Sequence, residues 1–135
     1  MTASSVSFPA AVLMGVFGMS WGIYMAMTHD HTTMPAHAHL NLLGWVSLFL
    51  IGVFYRLHPA LDRSRAALIQ VGIWIVATAV MVGGITLIMN ESPVGEPVAA
   101  VSSIVILADM LFFGWLVIGN RQPERGSADI PVAAE

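Results

Sequence analysis

Four long apolar runs separated by short polar intervals set the pattern of this 135-residue chain: Phe8 to Met27, Ala36 to Phe54, Ala66 to Met89 and Pro97 to Ile118. A helix needs about 20 mostly apolar residues to cross the hydrocarbon core of a bilayer, and each run comes close to that length. The intervals hold the expected breakers. Thr32, Thr33 and Pro35 open the second run, Pro59 follows it, and Pro93 and Pro97 bracket the third interval. Thr33 is placed as an N-cap, with Pro35 in the first turn. After Ile118 the chain turns polar without an apolar period, so residues 120–135 are expected to form a disordered cytoplasmic tail. The pattern predicts an all-α, integral membrane four-helix bundle.

Composition supports lipid as the solvent, because 57% of residues are hydrophobic and only 10% charged, more apolar surface than a small soluble domain can hide. There are five arginines and no lysine. Arg56, Arg63 and Arg65 lie in the second interval and Arg121 and Arg125 in the tail, while the first and third intervals have none. The positive-inside bias then places both termini in the cytoplasm, and Thr28 to Pro35 and Asn90 to Glu96 outside, in the inner membrane of a bacterium. The first run lacks a basic flank and exceeds a signal-peptide core in length, so it is read as a retained helix. A net charge of -3 gives no footprint for nucleic acid. Without cysteine, disulfides, thiolate zinc sites and Cys-ligated iron–sulfur clusters are excluded, leaving His, Met and carboxylate as metal ligands.

Small and aromatic residues have ordinary roles in such a bundle. Gly15, Gly18 and Gly22 form a ridge suited to close helix approach, and Gly72, Gly83 and Gly84 serve the third helix similarly. Tyr24, Tyr55 and Trp115 fit an interfacial belt, whereas Trp21, Trp45 and Trp74 lie deeper, as packing residues.

The candidate chemistry is concentrated between Met25 and His39, which holds four of the five histidines together with Met25, Met27 and Met34. His29 and His31 fall in the outer loop; His37 and His39 enter the membrane on the second helix. His58, beside Pro59 at the other end, reads as an ordinary interfacial histidine. Successive helical residues turn by about 100°, so His37 and His39 point to different sides. His37 shares its face with Asn41, Gly44 and Leu48, and Gly44 is expected to leave room for a flat macrocycle. His39 shares a face with Leu42, Leu43 and Val46. An outer imidazole above an apolar pocket suits haem b. Met25, Met27 and Met34 with His29 and His31 suit copper instead, especially Cu(I). Water-bonded loop histidines and packing methionines are the third reading. Spacing alone leaves these open.

Asp109 lies near mid-membrane, where an ionised carboxylate is expensive. It is expected either as a protonated acid bonded through Thr78, Ser102 or Ser103, or as a proton-handling or cofactor-orienting group, with the latter favoured.

The run Pro35-Ala36-His37-Ala38-His39-Leu40-Asn41-Leu42-Leu43-Gly44-Trp45-Val46 resembles the second-helix motif of the haem-copper oxidase superfamily, in its cbb3-type oxidase and nitric-oxide-reductase branches. It is also similar to short four-span proteins described as oxidase subunit I-like, which share stretches like Gly22-Ile23-Tyr24-Met25 and Gly52-Val53-Phe54-Tyr55-Arg56. The likeness covers about Gly18 to Pro59. It implies an axial haem ligand at His37, with His39 the alternative; the residues themselves put Asn41, Gly44, Trp45 and Asp109 near the cofactor and leave His39, His29 or His31, of the same chain or a neighbour, as the second ligand. The likeness implies no binuclear-centre ligands, so oxygen or nitric oxide reduction by this chain alone is not expected. The implied roles are electron transfer, haem handling or gas sensing by a homodimer or higher oligomer, with a redox partner or larger oxidase complex. The alternatives are copper binding at the rim and a cofactor-free accessory subunit packing through the Gly18 to Gly22 ridge.

Overall fold

The structure is a computed structural model that describes residues 1–119. The expected tail, 120–135, lies outside the described residues. In chain order the elements are α1 (Ala3–Thr28), α2 (Met34–His39), a π-helical segment (Leu40–Ser47), α3 (Leu48–Leu57), the single turn α4 (Pro59–Asp62), α5 (Arg65–Met89) and α6 (Gly95–Gly119). α2, the π segment and α3 run on as one long helix, Met34–Leu57, so among the described residues four helices are long and apolar enough to cross a membrane. The protein is an all-α, multi-pass four-helix membrane bundle.

Local chemistry explains the helix ends. α1 starts five residues before its apolar run because Thr2 and Ser5 form a reciprocal capping box: the Ser5 N–H donates to Thr2 Oγ1 at 3.3 Å, and the Thr2 N–H to Ser5 Oγ at 3.0 Å. Ser64 caps α5 by accepting from the Ala67 N–H at 3.1 Å. Thr33, expected to cap the second helix, makes no capping bond. Its hydroxyl is turned towards α1 instead, accepting from Trp21 Nε1 at 3.1 Å and donating to Met25 Sδ at 3.6 Å. That cross-helix bond fixes the outer loop to α1, while Pro35 starts the helix without needing a donor.

The second helix is the least regular. Within it the Leu48 N–H reaches back five residues to Leu43 O, widening the turn and shifting later side chains around the axis relative to an α-helix. Ser47 Oγ donates to Leu42 O at 2.8 Å, and Trp74 Nε1 of α5 donates to Leu43 O at 3.0 Å. The π segment is thus tied to α5 through a backbone carbonyl.

α5 is the central helix: it packs against α1, the second helix and α6, and α6 rests chiefly on α5. The core joins Ala11 of α1, Leu48, Ile51 and Tyr55 of α3, Val71, Trp74, Ala77 and Met81 of α5, and Ile106 and Leu116 of α6. Many apolar side chains, among them Leu13, Phe17, Ile104 and Leu111, point outward, as lipid solvation permits. One end of the bundle carries Arg56, Arg63 and Arg65 with the start of α1. The other carries His29, His31 and the turn before Gly95. These are called the arginine end and the histidine end below.

Candidate functional site

The glycine ridge of α1 is filled from within the chain. A methyl group at Gly22 would lie 2.8 Å from His37 Cε1, at Gly18 2.6 Å from Asn41 Oδ1, and at Gly15 2.9 Å from Trp45 Cγ. His37, Asn41 and Trp45 therefore form a ladder, each rung seated in one glycine notch. Asn41 Nδ2 lies 3.3 Å from His37 Nδ1 and donates to the His37 carbonyl at 3.0 Å. Two expectations are corrected here. The Gly18 to Gly22 ridge is not free to receive another protein, and Gly44 does not leave room for a macrocycle, because a methyl there would lie 2.7 Å from Met14 Sδ. The cause is the π turn. In a regular helix the residue seven after His37 returns to its face, but the wider turn brings Trp45 round in place of Gly44.

His39 is placed differently. Its ring is exposed, and Nδ1 donates to Pro35 O at 2.8 Å. A carbonyl only accepts, so Nδ1 carries a proton, and the lone pair available in this tautomer is that of Nε2. Exposed Leu42 and Val46 follow within two turns, while Leu43 turns inward to the core. His58 makes a similar bond from Nδ1 to Phe54 O at 2.7 Å, but it is half-buried and stacked on Phe54 with ring centroids 4.2 Å apart.

The remaining rim residues differ in exposure. Met25 is buried and accepts from Thr33, whereas Met27 and Met34 are 77% and 58% exposed. His29, in a left-handed conformation with φ 54°, and His31 are both exposed. Among the described residues no group of three or more His, Cys, Asp or Glu is placed to hold a metal ion. Asp30 is committed to its own loop: the Thr32 hydroxyl and N–H donate to its Oδ1 at 2.6 and 2.9 Å, and these bonds hold its carboxyl below the ordinary value.

A second polar constellation lies towards the arginine end. The Tyr55 hydroxyl donates to Gln70 Oε1 at 2.9 Å, and Gln70 Nε2 donates to Asp109 Oδ2 at 2.7 Å. All three residues are buried, and Asp109 Oδ1 has no hydrogen-bond partner. This corrects the expected partners of Asp109. Ser102 and Ser103 donate to carbonyls of their own helix, Val98 O and Ala99 O, both at 2.7 Å, and Thr78 Oγ1 is buried without a partner. Tyr55 is fully buried rather than part of an interfacial belt. Gln70 was the residue to find: an amide five residues into an apolar span is as much out of place as a carboxylate, and needs a partner for the same reason.

A bound haem needs an imidazole with a free lone pair beside an apolar surface. His37, pressed against Gly22 and Asn41, has no such surface. His39 is exposed, with Nε2 clear of the bond that Nδ1 makes and exposed Leu42 one turn further on. Compared with known proteins, the chain matches no family model, no curated protein and no solved structure.

Proposed function

We propose that the protein binds haem b at the histidine end, between two copies of the chain that each supply His39 as axial ligand. The arginine end faces the cytoplasm of a bacterium, in keeping with the positive-inside bias. The observation that carries the reading is the His39 ring, with Nδ1 held by Pro35 O and its face exposed. Axial ligation calls for a neutral imidazole whose tautomer and orientation are fixed from behind. Leu42 and Val46 offer apolar contact to the porphyrin. His37 is turned into α1, so a two-fold axis, which makes both sides of the site identical, supplies the second imidazole most simply. The haem would contribute a reversible one-electron change, and the chain would hold its orientation and keep water from one side.

Oxidised and reduced visible spectra of the detergent-purified protein, with metal analysis of the same sample, test this. A Soret band is expected, lost in His39→Ala and kept in His37→Ala and His58→Ala. Absence of the band in protein from haem-replete cells, and again after adding haemin, ends the reading. Loss of colour in His37→Ala alone would move the ligand to His37. Copper in a colourless sample would return the argument to the methionine rim.

A further inference from the structure

Asp109 sits ten residues before the end of α6, about 15 Å along the helix at 1.5 Å per residue. It is 3% exposed. Its surroundings define what state it can hold there. Tyr55 donates to Gln70 Oε1, which orients the amide so that Nε2 faces Asp109 and gives Oδ2 its only donor; Oδ1 has none.

Among the described residues no positive charge answers it. α5 brings Gln70 to the carboxyl, and its Trp74 N–H is spent on Leu43 O. α3 brings Tyr55 through Gln70, together with the rings of Phe54 and Tyr55 packed on Phe113. Arg56, Arg63 and Arg65 are exposed, and His58 is engaged with Phe54. The other buried carboxylate, Asp62, is filled by Ser4, which donates from its N–H to Oδ1 at 2.7 Å and from its hydroxyl to Oδ2 at 2.8 Å. An ion at Asp109 would have one donor and no counter-charge, and burying an uncompensated ion costs several kcal/mol.

We propose that Asp109 is a proton-binding site inside the membrane, occupied at neutral pH, with the proton on Oδ1 and Gln70 donating to Oδ2. Binding joins one proton to one carboxylate to give the neutral acid, and needs no co-reactant. A metal cation would require several more oxygens around Oδ1, and no hydrogen-bonding group reaches it. The site is independent of the haem reading.

Infrared absorption of the full chain in phospholipid vesicles at neutral pH, in H2O and in D2O, tests the proposal. A carbonyl band of a protonated carboxylic acid is expected, shifted by deuterium, lost in Asp109→Asn, displaced in Gln70→Leu and unchanged in Asp62→Asn. Absence of the band from the wild-type protein overturns the proposal whether or not any variant folds, and so does its survival in Asp109→Asn. The visible spectrum of Asp109→Asn is expected to match wild type, so failure of either reading leaves the other testable.

Discussion

The joint between α1 and the second helix and the joint between α5 and α6 are built to different standards. In the first, every notch is filled: Gly15, Gly18 and Gly22 receive Trp45, Asn41 and His37, Gly44 receives Met14, and Gly52 meets Ser7 and Phe8. Its polar groups are also matched, with Ser7 Oγ donating to Leu48 O at 2.6 Å and Asp62 holding the first turn of α1 through Ser4. In the second, a methyl group at Gly84 or Gly95 would meet the neighbouring helix, while one at Gly72, Gly83 or Gly114 would find open space. An apolar groove of about 830 Å³ runs beside Gly72, Val76 and Val101, and Asp109 and Thr78 keep unmatched oxygens. The first joint fixes one arrangement. The second leaves a polar group whose charge state is decided by protonation rather than by a partner.

The largest test of this contrast is to remove each buried carboxylate in turn. Asp62→Leu strands two buried donors of Ser4 at the positive end of α1 and is expected to destabilise the fold by about 3 kcal/mol. Asp109→Leu removes a neutral acid with one donor and is expected to cost about 1 kcal/mol, from the unmatched Gln70 amide. Denaturant unfolding in mild detergent measures both. Equal losses would show that Asp109 is held as firmly as Asp62.

The glycines give the next effect. Gly18→Val drives a branched side chain into Asn41, and overpacking of this kind costs about 2 kcal/mol. Gly72→Ala has open space around it and is expected to be neutral or to stabilise α5 by up to about 1 kcal/mol. Thermal unfolding of the two variants would erase the contrast if Gly72→Ala proved the more damaging.

The architecture was legible in the chain because lipid forces long uninterrupted apolar helices, a signal that needs no tertiary information. Helix starts were less so: Ala3 to Ser7 are polar enough to look like a flank, and only the capping box and Ser4's bond to Asp62 carry the helix back to Ala3. In the candidate site the residues stand out in the chain, but their arrangement does not. A 100° helical wheel puts Gly44 beside His37, and the π segment, which leaves no mark in Leu40 to Ser47, puts Trp45 there. Asp109 was conspicuous by charge, whereas its partner Gln70 lies 39 residues away and could be found only by asking where a buried amide bonds.

A third carboxylate, in water, completes the series and carries the smallest expected effect. Asp30 is exposed in the loop at the histidine end, and the Thr32 hydroxyl and N–H both stabilise its ionised form. A lowered folded-state pKa contributes stability above the ordinary carboxylate value and loses it as pH falls through the folded value, so this loop loosens only in strong acid. Thr32→Val removes the hydroxyl and keeps the N–H. The Asp30 titration, followed by carboxyl-carbon NMR, is expected to rise part of the way to the ordinary value, with a small fall in unfolding temperature at neutral pH that disappears in strong acid. An unmoved titration would mean that water, not Thr32, solvates the carboxylate. Asp30 would then have no built partner.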